Sequence, residues 1–180
     1  MCGSLKGRRR IQSPPVKNAL DIRPATEGDV ELLLELILEL AEYENLRDEV
    51  VGDAETLRRT LFEQHAAEAL ILESGEEPIG YAIFYVTFSS FECRSGIWLE
   101  DVYVRPQYRR GGSGQAVMEY LAALALERGH VRLEWCALAW NEPALNFYDQ
   151  LGATRLDEWR MLRLEVDGMR RLSQPPAEPA

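Results

Sequence analysis

The sequence predicts one α/β (α+β) domain, a central mixed β-sheet flanked by helices. Three observations predict it. A chain of 180 residues, 46% of them hydrophobic, is long enough for one packed core rather than two. Segments with a 3.6-residue apolar period alternate with short runs rich in β-branched and aromatic residues. Helix caps and glycine-containing turns fall between these segments, and there is no internal repeat.

The elements follow in order. A short strand over 20–23 ends at Pro24. Thr26 is placed to cap a helix, with Asp29 three residues on as its partner. Leu32, Leu33, Leu36, Ile37 and Leu40 then keep an amphipathic helical period. Asp53 reads as a second N-cap, for a helix to about Gln64. A strand over 69–73 and a turn at Ser74-Gly75-Glu76-Glu77 lead into 79–88, dense enough in aromatic and β-branched residues to read as a buried strand. Another strand covers 96–104. A helix over 114–128 is closed by Gly129. A strand over 131–138, a helix over 142–151 and a last strand or pair of strands over 155–166 complete the order β-α-α-β-β-β-α-β-α-β. The domain spans 20–172. It lies between a flexible basic tail over 1–19, carrying Arg8, Arg9, Arg10, Pro14 and Pro15, and a disordered proline-containing tail over 173–180.

Composition narrows the function. A formal net charge of −10 repels phosphate backbones, and Arg8 to Arg10 are too few to reverse it, so no nucleic-acid partner is expected. The same charge suits a cationic substrate. No apolar run approaches the roughly 20 residues that span a bilayer, and no signal-type stretch follows the N-terminal arginines, so a cytoplasmic protein without a membrane partner is expected. Cys2, Cys93 and Cys136 form no CxxC pair, and His65 and His130 are the only histidines, so no metal site is expected. Such an odd, scattered set of cysteines fits a reducing cytosol.

One loop carries chemistry. The strand over 98–104 runs through Pro106 into Tyr108-Arg109-Arg110-Gly111-Gly112-Ser113-Gly114 and then a helix. Glycines let the backbone approach a ligand closely, and the first N–H groups of a helix lack internal partners and lie at the positive end of its dipole. Two arginines add charge and forked donors. The loop lacks the lysine of a P-loop. It also has the wrong spacing, too late in the chain, for a dinucleotide fold. Taken alone it is either an anion site or a flexible surface loop.

A second segment settles the choice by resemblance. Arg109, Gly112 and Gly114 form R-x-x-G-x-G after Val102-Tyr103-Val104-Arg105-Pro106, and Asn141, Ala144, Phe147, Tyr148 and Gly152 form N-x-x-A-x-x-F-Y-x-x-x-G. Together these resemble the two acetyl-CoA motifs of the GNAT superfamily of N-acetyltransferases, over residues 22–172. The resemblance implies acetyl-CoA as co-substrate, with its pyrophosphate on Arg109, Arg110, Gly111, Gly112, Ser113, Gly114 and Gln115. It implies a pantetheine arm between the strands over 98–104 and 131–138, held by the main chain of Val102, Tyr103 and Val104 and, from the other side, by Asn141, Ala144 and Tyr148. Tyr148 falls at the position of the superfamily's usual general acid, and a phenol can protonate a departing thiolate; the plainer reading is a core aromatic pair with Phe147. Cys136 reads as a small buried apolar residue in preference to a nucleophile.

Within the superfamily the chain resembles the spermidine/spermine (diamine) and thialysine N-acetyltransferase group, at Ile22-Arg23-Pro24-Ala25-Thr26, Glu39-Leu40-Ala41-Glu42-Tyr43-Glu44, Leu99-Glu100-Asp101 and Trp140-Asn141-Glu142-Pro143. That resemblance implies amine contacts at Tyr43, Glu44, Glu100, Glu134, Trp135 and Cys136, and Asp101 joins them beside Glu100. Glu100 either relays the amine's proton through water or only binds the amine, the plainer reading of Glu100 and Asp101 being a structural acidic pair. Acidic groups there suit a cationic acceptor. Polyamine-specific members carry an acid where this chain has Ser89 and Ser90, which favours a small or lysine-like amine, with Glu92 as a nearby substitute. The expected reaction is acetyl transfer to a primary amine by direct attack in a ternary complex. The alternatives are acetylation of a protein or peptide amine and a non-catalytic acyl-CoA sensor. The resemblance also implies a homodimer with the strand over 159–166 at its interface.

Overall fold

A computed structural model describes residues 20–174. The expected basic tail over 1–19 and residues 175–180 of the expected C-terminal tail lie outside the described residues. Two compact units make up the chain, Met1–Leu138 and Ala139–Ala180.

The first unit holds a five-stranded sheet: β1 (Leu20–Pro24), β2 (Glu68–Ser74), β3 (Glu77–Ser89), β4 (Arg94–Val104) and β5 (Leu133–Trp135), neighbours in that order. β1 to β4 form an antiparallel meander, and β5 lies parallel to β4. A parallel neighbour requires a crossover; α3 (Ser113–Glu127) supplies it. The mixed sheet with flanking helices is therefore as the sequence predicts.

Local chemistry starts the first two helices where their cap residues fall. Asp29 Oδ2 accepts from the Thr26 amide and hydroxyl, both at 2.8 Å. The Arg23 guanidinium grips the same carboxylate at 2.8 Å through both terminal nitrogens and holds it well below the usual carboxylate range. A single 3-10 turn over Glu27–Asp29 then opens α1 (Val30–Tyr43), whose Val30, Leu33, Leu36 and Ala41 are buried. Asp53 Oδ1 accepts from the Thr56 amide at 2.8 Å and starts α2 (Ala54–Arg58), which continues as a π turn over Arg59–Glu63. Leu33, Leu36 and Leu61 pack on Ile71, Tyr81, Ile83 and Tyr103 of the sheet. Gly80 is required where β3 meets β4, because a Cβ there would lie 2.1 Å from the Tyr103 carbonyl oxygen.

Three expectations need correction. β5 covers Leu133–Trp135, not 131–138. β3 is not buried throughout: Val86 and Phe88 are exposed. β2 accompanies β3 only as far as Phe84 and β5 accompanies β4 only from Ile97 to Leu99, so Thr87–Ser89 and Arg94–Gly96 extend beyond both neighbours as a two-stranded hairpin. The expected last strand over 155–166 does not form. The second unit contains α4 (Glu142–Gln150) and α5 (Val166–Leu172), with no strand among its described residues. The intervening segment has strand-like composition, but a strand exists only against a ladder partner. Its Leu156, Trp159, Met161, Leu162 and Leu164 are exposed.

Candidate active site

Register places the site. Ile83 pairs with Asp101 and Phe84 with Leu99, so Glu100 is the extra residue of a β-bulge. Bulges bend a strand and re-aim its side chains. On the other side, β5 pairs only with Ile97, Trp98 and Leu99. Past the bulge, the outer edge of β4 has no strand partner among the described residues. The Arg105 amide donates to the Ile79 carbonyl at 2.8 Å, toward β3. Peptide groups alternate along a strand, so those of Val102 and Val104 face the open edge. This edge has no strand partner among the described residues and lies beside a bulged pair of acids; the carbonyl at its end, Val104, accepts from Arg109.

The glycine loop follows. A 3-10 turn over Pro106–Tyr108 leads to Gly112, the N-cap of α3, at φ 90° and ψ 0°. A left-handed cap at that angle suits glycine, and a Cβ there would meet open space. The Ser113 hydroxyl donates to the Tyr108 carbonyl at 3.2 Å and closes the loop on itself. Gly114 and Gln115 occupy the first turn of α3, where backbone N–H groups lack helical partners. Arg110 is exposed, at φ 64°. Arg109 is half-buried and turned onto protein groups. Its Nε donates to the Val104 carbonyl at 2.7 Å, and its guanidinium carbon lies 4.5 Å from the Tyr43 ring centroid and 5.4 Å from that of Tyr103.

The acids cluster at the bulge. Tyr81, fully buried, donates its hydroxyl to Asp101 Oδ2 at 3.1 Å. Burial pushes the half-buried Asp101 carboxyl up to about 6; the Tyr81 hydrogen bond opposes the rise, and the charges of Glu100 and Glu44 add to it. Glu44, the C-cap of α1, is raised by burial. Glu100 is exposed and accepts from Trp98 Nε1 at 3.0 Å. Burial, with the Glu100 charge second, raises the Tyr85 phenol. Cys136 corrects an expectation: it is exposed, not buried. Partial desolvation of its sulfur by neighbouring groups, then the Glu100 charge, raises the thiol, which opposes any role as a thiolate nucleophile. Glu134 makes an ion pair with Arg132 at 2.7 Å, although the Arg132 Nε–H finds no hydrogen-bond partner in angle. Trp135 is half-buried and Tyr43 is 38% exposed at the end of α1.

Sequence reasoning missed Tyr81, Tyr85 and Trp98. Each read as a strand aromatic, and only the register makes them partners of Glu100 and Asp101. It also missed the Arg105 clamp. That guanidinium donates to Glu39 at 2.7 Å, Glu35 at 2.6 Å and the Pro78 carbonyl at 3.0 Å, and so fixes α1 to the end of β4.

Asn141, Ala144 and Tyr148 belong to the second unit. Asn141 is buried, and its Oδ1 accepts from the Ala144 amide at 3.3 Å as the N-cap of α4. Ala144 and Tyr148 stand one turn apart on one helix face. The Phe147 and Tyr148 rings are tilted, with centroids 5.1 Å apart. Among the described residues, no three His, Cys, Asp or Glu side chains gather as a metal site, and no helix is long and apolar enough to cross a membrane.

Residues 34–153 match the Acetyltransferase (GNAT) family. The chain is 40% identical over 164 residues to the thialysine N-epsilon-acetyltransferase of Bos taurus, covering 84% of this chain and 96% of that protein. It is 27% identical over 199 residues to an L-ornithine N5-acetyltransferase of Arabidopsis thaliana, covering 85% and 87%. Among solved structures, an integron cassette protein from V. cholerae shares the fold with a TM-score of 0.72 at 22% identity, over 87% of this chain and 98% of that one. The R-x-x-G-x-G loop, the open edge of β4 and these likenesses agree: the chain belongs to the GNAT acetyltransferase family and is an N-acetyltransferase.

Proposed function

We propose that the chain transfers the acetyl group of acetyl-CoA directly to the primary amine of a small cationic acceptor, a lysine-like amino acid or diamine, in a ternary complex. The observation that carries this reading is the juxtaposition at the Glu100 bulge: three carboxylates, Glu44, Glu100 and Asp101, beside a stretch of β4 edge with no strand partner among the described residues.

Acetyl-CoA fits the residues present. The outward N–H and C=O of Val102 and the N–H of Val104 would hydrogen-bond the amide arm as a further strand would, the Val104 carbonyl being held by Arg109. The first turn of α3, with Arg110, would take the pyrophosphate. Bound there, the co-substrate supplies an acetyl thioester whose C–S bond is exchanged for a C–N bond. The protein's task is then to handle protons. An alkylammonium with a pKa of about 10.4 must lose its proton to attack. Glu44 and Glu100 would draw the cation in by charge. Asp101 Oδ1, the oxygen not held by Tyr81, would accept the proton, because its carboxyl, pushed up to about 6, lies near working pH. Tyr148 would return a proton to the departing thiolate, in keeping with its motif position.

The acceptor preference follows the activities of the two relatives, thialysine N-epsilon-acetylation and L-ornithine N5-acetylation. The hairpin tip agrees. Ser89 is buried and its hydroxyl accepts from the Glu92 amide at 3.2 Å, so no acid stands at that position for a longer polyamine. A homodimer in the cytoplasm, without nucleic-acid or membrane partners, belongs to the same reading; the exposed Trp159, Met161, Leu162 and Leu164 support a self-association surface. Release of free CoA thiol across thialysine, ornithine, lysine, spermidine and lysine peptides tests it. Turnover with the amino acids is expected. Turnover with peptides alone would make this a protein acetyltransferase. Tight acetyl-CoA binding with no turnover would make it an acyl-CoA sensor.

A further inference from the structure

We infer that Arg109 is a positioning residue that ties the glycine loop to the acceptor end of α1, and not a ligand of the CoA phosphates. The inference rests on reading Tyr43 and Glu44 as acceptor contacts. Three contacts engage the Arg109 side chain: Nε donates to the last carbonyl of β4 at 2.7 Å, and the guanidinium stacks 4.5 Å from the Tyr43 centroid with the Tyr103 ring at 5.4 Å on its other contact. The Nε–H is taken by a carbonyl and the guanidinium is held over two rings, so the side chain is anchored on β4 and the end of α1. Its neighbour Arg110 is exposed and held at φ 64°, so it is the loop's cation for phosphate.

Tyr43 is the final residue of α1 and Glu44 its C-cap. One side chain therefore joins the end of β4, the first residue of the R-x-x-G-x-G loop and the last residue of α1. The Arg105 clamp on Glu35 and Glu39 fixes the turns just before. Together the two arginines set the height of the α1 terminus over the acids of the bulge. Lysine cannot replace Arg109 here, because it lacks both the planar face that stacks on a ring and the Nε–H that reaches the Val104 carbonyl while the face stays stacked. Whatever orders the loop is then felt at Tyr43 and Glu44, and by linkage the acceptor strengthens the loop's own ligand equally.

The test separates two constants. Acetyl-CoA affinity is measured by titration calorimetry without amine. The thialysine KM and kcat are measured at saturating acetyl-CoA. Both are taken for the full chain and for Arg109→Met, Arg110→Met, Tyr43→Leu and the Arg109→Met/Tyr43→Leu double variant. Arg109→Met is expected to raise the amine KM about tenfold, within the usual range of coupling between sites, and to leave acetyl-CoA affinity within about twofold. The same change adds little in the Tyr43→Leu background, because the contact is already gone. Arg110→Met is expected to do the reverse and weaken acetyl-CoA. Loss of acetyl-CoA affinity in Arg109→Met with the amine KM unchanged, or full additivity in the double variant, would overturn the proposal. If Arg109→Met does not fold, Arg109→Lys keeps the charge and is expected to keep the raised amine KM; a wild-type KM in that variant overturns the proposal equally. A wild-type protein that acetylates no small amine defeats the acceptor reading and this inference with it, whereas active wild type with the phosphate-type profile defeats this inference alone.

Discussion

Asp101→Asn removes a charge that the fold disfavours. The Asp101 carboxyl rises from 3.8 to about 6 through burial and the charges of Glu100 and Glu44. At about 1.4 kcal/mol per pKa unit, that is a penalty on the ionised form of about 3 kcal/mol if fully expressed. Asp101 is only half-buried, so solvent screening reduces the figure to about 1–2 kcal/mol. The sign is fixed by linkage. The folded state binds this proton more tightly than the unfolded chain, so the penalty is absent below about pH 4, grows between pH 4 and 6, and is complete above pH 6. Asparagine keeps an acceptor for the Tyr81 hydroxyl and carries no charge. Asp101→Asn is therefore expected to be more stable than wild type by about 1–2 kcal/mol at pH 8, a melting-temperature gain of roughly 2–8 °C for a domain of this size. At pH 4 the two are expected to match. The same variant loses its proton acceptor, and turnover is expected to fall about 100-fold or more. Urea unfolding at both pH values, with kcat at pH 8, reads all three effects. Equal stability changes at the two pH values would refute the charge argument, and undiminished turnover would refute the proton-acceptor role.

Three further expectations follow from other elements. Tyr148→Phe keeps the ring against Phe147 and is expected to cut kcat by about 100-fold while acetyl-CoA binding by calorimetry survives; unchanged turnover removes Tyr148 from the chemistry. Gly112→Val places a β-branched residue at φ 90°, and is expected to abolish acetyl-CoA binding in a protein that still folds by circular dichroism; retained affinity would contradict the loop assignment. Gly80→Ala drives a methyl group against the Tyr103 carbonyl and is expected to lower the stability read from the urea midpoint by about 1–3 kcal/mol, with no loss expected if β3 can shift freely.

What the sequence reveals in this chain is local. Thr26 with Asp29, Asp53 with Thr56, and Asn141 with Ala144 act across three residues, so each cap is readable from its own neighbours. The glycine loop is readable for the same reason. The bulge at Glu100 is not, because it depends on how β3 and β4 align, and alignment is a property of the pair. The partnership of Tyr81 with Asp101 follows from that alignment and is equally hidden. Arg109 and Tyr43 are far apart in the chain, so the turning of the arginine onto the ring leaves no spacing signal; charge beside glycines suggests a phosphate ligand instead. The segment over 155–166 shows the opposite error. Its side chains fit a strand, but β structure needs a partner, which composition does not supply.

The central claim, acetyl transfer to a small amine at the Glu100 bulge, is tested most directly by incubating the protein with acetyl-CoA and either thialysine or ornithine. Free CoA thiol and N-acetylated amine are followed together, the first by a thiol reagent and the second by mass spectrometry. The account predicts that the two appear in equal amounts and that neither appears without the amine. Thiol release that is independent of the amine, or no acetylated product from either acceptor, would contradict it.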